Sequence, residues 1–325
     1  MGSYQKTDAT IWTGREDKGE RFFNKVKVVD LLKNELPLLS KGGTSFALLG
    51  FCSDEGVRRN QGRVGSKDGP LALRKALRNK CFHNFNDVEL YDCGDVVCNG
   101  RDLEGVQKLL GEKVAIILEK GHFPILLGGG HSISWGHYQG LEKAKSCDSL
   151  GVINIDAHYD LRPLLEGGKG SSGTPFLQIA ERRKEQKKPF HYLCVGVQES
   201  ANTTPLFETA KELGVKTILA SDILSKGSVA YKQVVSSFVE SCQEIYLTLC
   251  LDGFSFSVAP GVSAPSPFGI MPAHVIDLID ELVLSEKLVS FDIAEMAPNF
   301  DENGKTASLG AEVITRLMQA YRKET

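Results

Sequence analysis

Three polar side chains at alternate positions, Asp156, His158 and Asp160, follow the apolar run 151–155. Side chains at i, i+2 and i+4 of extended backbone point the same way, so two carboxylates and an imidazole are expected to converge. Such groups at the end of a buried strand repel one another or go unsatisfied unless a cation joins them. A divalent metal is the economical answer, and carboxylate oxygen mixed with imidazole nitrogen suits Mn2+ among other divalent ions. The alternative is a solvated loop that happens to be rich in Asp and His. Two further apolar runs end in similar chemistry. The run 123–127 leads into Gly128-Gly129-Gly130-His131-Ser132, whose glycines allow a tight path and set His131 at a helix start. Taken alone, that stretch also reads as a turn before a capped helix. The run 245–251 ends at Asp252, with Cys250 two residues earlier, a pair that proves nothing by itself. No single bland explanation covers all three endings.

The elements that must position these residues follow from the pattern of apolar runs. Strands are expected at 46–51, 88–91, 124–127, 151–155, 192–195, 217–220, 245–251 and 288–292. Amphipathic stretches between them predict helices at 69–78, opened by Pro70, and at 103–120, 132–145, 175–184, 204–213, 229–240, 272–285 and 307–322. This is the rhythm of repeated βα units. Val152-Ile153-Asn154-Ile155 is apolar on both faces, which suits a parallel sheet buried between helices, so the fold class is α/β. Ligands of such sheets bind outside the carboxyl ends of the strands, where His131, Asp156 and Asp252 fall. Without a Pro/Ser-rich linker, repeat or low-complexity segment, residues 41–325 read as one domain, preceded by an N-terminal arm and first helix over 1–40. The Gly-rich stretch 167–173 reads as an active-site loop.

Composition bounds the partners. Lys+Arg total 38 against 41 Asp+Glu, a net charge of −3 with no long block of either sign, which argues against nucleic acid or an anionic membrane held by bulk charge. No apolar run approaches the roughly 18–20 residues that cross a bilayer. The first twenty residues mix both charges without an apolar core, so a cytoplasmic location is expected. The eight cysteines form no C-x-x-C pair and are too sparse for a disulfide scaffold; they read as mostly reduced thiols.

With the three run endings considered together, the sequence resembles the ureohydrolase (arginase and agmatinase) superfamily over residues 47–318. The resemblance implies a three-layer α/β/α sandwich around a parallel sheet, two Mn2+ per chain, a small-molecule substrate and a homo-oligomer, trimer or hexamer. It implies that His131, Asp156, His158, Asp160 and Asp252 are metal ligands. Residues 54–63, Asp160-Leu161-Arg162, Ser172-Gly173-Thr174-Pro175 and Asn202-Thr203 most resemble the formimidoylglutamase branch. That branch hydrolyses N-formimino-L-glutamate to L-glutamate and formamide in histidine degradation. Arginases and agmatinases carry His-Gly where this chain has Ser172-Gly173, so the His they use for proton transfer is missing. The resemblance gives Glu295 the cationic end of the substrate and Asp160 the proton for the departing amine, after attack by a metal-bridging hydroxide.

A glutamate-bearing substrate asks its pocket for a cation and neutral donors. Arg162 is the best cationic candidate, with Asn60, Asn202 and Thr203 as hydrogen-bond partners, although Asn and Thr serve nearly as well as loop caps. Arg58, Arg59 and Arg63 serve equally well in surface or interface ion pairs. The chain departs from the family at Cys250, where the family has an Asp that bridges both metals. A thiolate also bridges divalent ions, but it is softer and prefers zinc to manganese. Three outcomes are open: a working site with sulfur as ligand, a site with one metal lost, or an inactive descendant. The five other ligands and Glu295 favour the first. The competing readings are another amidine or guanidine substrate, such as guanidinobutyrate, agmatine or arginine, and a metal-poor, non-catalytic binding protein.

Overall fold

β-Branched and Leu-rich runs with no polar face can bury both sides of a strand, and here they build the middle of one sheet. The computed structural model describes residues 2–15, 21–81, 83, 88–145 and 148–321. Its strands are β1 (Gly2–Gln5), β2 (Val26–Val28), β3 (Thr44–Cys52), β4 (Val88–Cys98), β5 (Phe123–Leu127), β6 (Leu150–Ile155), β7 (His191–Val197), β8 (Lys216–Leu219), β9 (Glu244–Cys250) and β10 (Leu288–Ala294). They lie in the order β1-β4-β3-β5-β10-β9-β6-β7-β8, with β2 also paired to β4. All pairings are parallel except β1 with β4. The sheet is therefore parallel with one antiparallel edge, and parallel neighbours need the helical crossovers seen between them.

Those helices form two layers. Gly69–Leu77, Ala220–Lys226, Lys232–Glu240, Pro272–Leu284 and Lys305–Ala320 bury one apolar face with Leu48, Ile125, Ile153, Leu247 and Phe291. Leu103–Glu119 covers the opposite face beside Ala47, Leu49 and Leu126, while Pro175–Glu185 and Thr204–Glu212 cover it beside Val152 and Tyr192. The result is the expected three-layer α/β/α sandwich.

Strands and helices fall within a few residues of the sequence pattern, with instructive differences. Strand β4 runs seven residues past the expected end at Tyr91, through Asp92 and Asp95. Those carboxylates look like a strand terminus in sequence, but the fully buried Arg74 pairs with both, at 2.8 Å and 2.6 Å. Ala220 opens a helix instead of ending β8, and Leu251 begins a 3-10 turn instead of ending β9. Among the described residues of 1–40 the α-helix is the single turn Phe22–Lys25, and Gly2–Gln5 joins the sheet edge. Thr7 and the Trp12 indole also donate to Asp92, at 2.9 Å and 2.8 Å. Arg322, the last residue of the expected helix 307–322, and Cys147 lie outside the described residues.

Candidate metal centre

Four adjacent strands, β5, β10, β9 and β6, carry the polar run endings, so one crevice at their carboxyl ends collects His131, Glu295, Cys250, Asp252, Asp156, His158 and Asp160. This is where ligands of open parallel sheets bind.

The glycines after β5 let the chain squeeze between neighbouring strand ends. Gly128, Gly129 and Gly130 donate to the carbonyls of Ile293, Phe51 and Ser53 at 2.7, 2.8 and 2.9 Å. A Cβ on Gly129 would stand 2.1 Å from the Ser53 carbonyl oxygen, so no other residue fits that path. The next amide, of His131, donates to Glu295 Oε1 at 2.8 Å. His131 Nε2 meets Thr248 Oγ1 at 3.0 Å, and Thr248 donates to Asp292 Oδ1 at 2.6 Å. Asp292 Oδ2 accepts from His137 Nδ1 at 2.7 Å and from the Tyr246 hydroxyl. This chain of buried groups fixes the imidazole with Nδ1 facing the crevice. Sequence reasoning missed it, although Tyr246, Thr248 and Cys250 alternate with leucines and so mark a polar face along β9.

The expected convergence of Asp156, His158 and Asp160 is present, but extended backbone does not produce it. The chain bends directly after β6, where Asp156 Oδ1 accepts the His158 amide at 2.8 Å, and Asp160 adopts φ +48° in the left-handed region. Glu295 has φ +67°. Such conformations cost non-glycine residues about 1–3 kcal/mol, and they persist where the surroundings over-determine them. Asp252 likewise lies on the 3-10 turn Leu251–Gly253 rather than on a strand.

The donor atoms form two overlapping sets. His131, Asp156 and Cys250 offer atoms all within 4.8 Å of one another, as do Asp156, His158 and Asp252, so Asp156 belongs to both. Asp160 Oδ2 joins the first set 3.0 Å from His131 Nδ1, which is 2.9 Å from Asp156 Oδ2. His131 Nδ1 is nonetheless out of line for a hydrogen bond with either carboxylate, and it is buried without a partner, as are Asp252 Oδ1 and Glu295 Oε2. Orphaned buried atoms of this kind need an explanation, and a bound cation supplies it. Oxygen, nitrogen and sulfur donors around one point fit divalent ions.

Electrostatics agree. Burial alone would lower the His131 imidazole, but the negative charges of Asp156 and Asp160 beside it hold it well above its ordinary value. His158 behaves likewise: Asp252 and Asp156 outweigh burial. Burial, then the Asp156 charge, pushes Asp252 up to about 6. Burial and Asp252 push Glu295 up to about 8. Burial and the surrounding carboxylates push the Cys250 thiol well above its ordinary value. The crevice therefore holds more negative charge than two imidazoles offset.

Above these donors a cavity of about 200 Å³ is lined by Val57, Asn60, Arg162, Ser172, Ser263 and Leu206, among others. Arg162 is exposed at its rim, and among the described residues no carboxylate pairs with it. The three arginines of the segment 54–63 are committed. Arg58 and Arg59 pair with Glu55 at 2.6 and 3.0 Å, and Arg63 lies 4.0 Å over the Phe300 ring. Asn60 lines the cavity, as expected. Asn202 lines it too, but its amide is spent on the loop: Nδ2 donates to the Ala157 and Gln198 carbonyls at 2.8 Å each, and Oδ1 accepts from the Tyr159 amide at 3.1 Å. Thr203 is exposed outside the lining, at the start of the helix Thr204–Glu212. The structure thus gives Asn202 a loop-holding task and does not bring Thr203 to the site.

Comparison with known proteins agrees with this geometry. The arginase family model matches residues 44–319. A formimidoylglutamase of Legionella pneumophila (strain Paris) is 42% identical, over 98% of each chain. The formiminoglutamase of Trypanosoma cruzi, crystallised with Mn2+, superposes with a TM-score of 0.76 at 27% identity, covering 87% of this chain and 96% of that one. A formimidoylglutamase of Bacillus subtilis shares the fold, with a TM-score of 0.80 at 20% identity over 95% and 94% of the two chains.

Proposed function

The chain belongs to the arginase family, and on that premise we propose that it hydrolyses N-formimino-L-glutamate to L-glutamate and formamide. The observation that carries the reading is the pair of donor sets sharing Asp156, beneath a cavity whose rim presents the unpaired Arg162. His131, Asp156, Asp160 and Cys250 would hold one Mn2+, and Asp156, His158 and Asp252 a second. Bound divalent ions would lower the pKa of water, so supplying a nucleophile near neutral pH, and would offset the negative charge that develops on oxygen during attack on the amidine carbon.

The chain's own residues do the rest. Glu295, which lines the cavity, keeps Oε1 on the His131 amide and has the partnerless Oε2 left to accept from the amidinium. Arg162 pairs with a carboxylate of the glutamate half, assisted by Asn60. Asp160 delivers a proton to the departing α-nitrogen as the C–N bond breaks. The cationic rim disfavours agmatine, whose far end is itself cationic. The same reading takes 41–325 as one domain with 1–40 as its arm, in a cytoplasmic homo-oligomer, trimer or hexamer. In keeping with it, no helix among the described residues is long and apolar enough to cross a membrane, and Cys52, Cys81, Cys93, Cys98, Cys194 and Cys250 are free thiols.

One observation favours a second reading, a metal-poor binding protein: Cys250 occupies a ligand position. Elemental analysis after Mn2+ reconstitution, with formamide release assayed on the same sample, separates the two. The hydrolase gives two ions per chain and turnover; the binding protein gives neither.

A further inference from the structure

We propose that the two halves of this centre differ in the ions they prefer when several are offered, with the His131–Asp156–Cys250 half favouring a thiophilic divalent ion such as Zn2+ or Co2+ over Mn2+ and the Asp156–His158–Asp252 half keeping Mn2+. The inference rests on the metal-dependent reading above and deepens it by naming the ion at each position.

Cys250 is held where its sulfur must be a donor. It ends β9, whose neighbours fix it from both sides through the register pairs Ala294↔Cys250 and Ile155↔Leu249. Only 1% of it is exposed. Its sulfur lies within 4.8 Å of donor atoms of His131 and Asp156. A second observation points to a ligand at the same place: His131, also 1% exposed, aims Nδ1 there without a hydrogen-bond partner. The two halves are chemically unequal. One combines sulfur, nitrogen and oxygen; the other has one nitrogen and otherwise carboxylate oxygen. Soft thiolate selects zinc-like ions, and carboxylate suits manganese. The Cys250 sulfur falls within reach of the His131 set alone, and the second set closes without it. When the ion binds, the Sγ–H proton leaves to solvent and a metal–sulfur bond forms, with no change of oxidation state.

The test uses the full chain, stripped of metal and then titrated with Co2+ in the presence and absence of Mn2+. Near-ultraviolet sulfur-to-Co2+ charge transfer is the readout, with elemental analysis beside it. The expected result is a charge-transfer band that saturates at one Co2+ per chain and survives ~10-fold excess Mn2+. C250S and C250D should lose the band, and C250D loaded from a Zn2+/Mn2+ mixture should hold a lower Zn2+/Mn2+ ratio than wild type. Because the band is read first on the unmodified chain, a variant that fails to fold does not remove the test. Metal binding by the wild-type chain without the band, or equal Zn2+/Mn2+ ratios in wild type and C250D, would overturn the selectivity and leave the hydrolase reading standing. No bound metal under any condition would overturn both.

Discussion

Arg162 has its charge at the cavity rim with no carboxylate of the described residues opposite it, whereas Arg58, Arg59 and Arg63 are all engaged. A charge-assisted pair with a substrate carboxylate contributes about 1.5–3 kcal/mol. Arg162→Ala should therefore raise KM for N-formimino-L-glutamate by roughly 10- to 100-fold while kcat changes little, because the contact is made equally in ground and transition states. Steady-state kinetics check this, and an unchanged KM would remove Arg162 from the pocket. The sequence identified this residue through its place after Asp160, and it identified the donor set through spacing. It could not show why the spacing works. The left-handed Asp160 and the Asx-type contact at Asp156 are consequences of tertiary packing, invisible in an alternation of residue types. Nor could it tell a ligand-binding amide from a structural one: Asn202 is in place, yet its hydrogen bonds are consumed by the loop it holds.

At the scale of elements, the turn after β5 is the most constrained piece of the site. Gly129 lies beneath the Phe51 and Ser53 carbonyls, and a methyl there would meet oxygens at 2.7 and 2.1 Å. Gly129→Ala must push β3 and β5 apart, an overpacking cost of about 1–3 kcal/mol. It should also shift His131 and weaken binding at its half of the centre more than at the Asp252 half. Chemical denaturation and metal titration of the variant measure the two effects separately; unaltered values for both would mean that the turn is not what sets His131. The central strands were legible because runs such as Val152-Ile153-Asn154-Ile155 are buried on both faces and leave little else to adopt. The edges were not. Gly2–Gln5 and Val26–Val28 are short, half-exposed segments that become strands only because β4 is there to pair with them. The far half of β4 hides behind Asp92 and Asp95, whose partner Arg74 comes from a helix and not from the strand's own pattern.

For the molecule as a whole, a site that concentrates carboxylates links metal, pH and stability. In the unfolded chain Glu and Asp titrate near 4.5 and 3.8, whereas the fold raises Glu295 to about 8 and Asp252 to about 6. Between those limits the metal-free fold binds more protons than the unfolded chain, so its stability falls as pH rises. His131 and His158 act in the same sense. Their raised values mean that the stability from their pairing with Asp156, Asp160 and Asp252 is fully present below about 6.5 and lost as pH climbs through the folded values. Asp156, held below its ordinary value, contributes above about 3.8 and is constant across the window. The metal-free chain should therefore melt at a lower temperature at pH 8 than at pH 6, and Glu295→Gln should flatten that slope. A divalent ion reverses the balance, because it favours the ionised carboxylates and competes with protons for the imidazoles, so metal affinity rises with pH. Melting curves at pH 6, 7 and 8, in chelator and in Mn2+, give the comparison: stability falling with pH in the first series and level or rising in the second. Parallel slopes in the two series would mean that the ion binds away from the carboxylate crevice at the ends of β5, β6, β9 and β10.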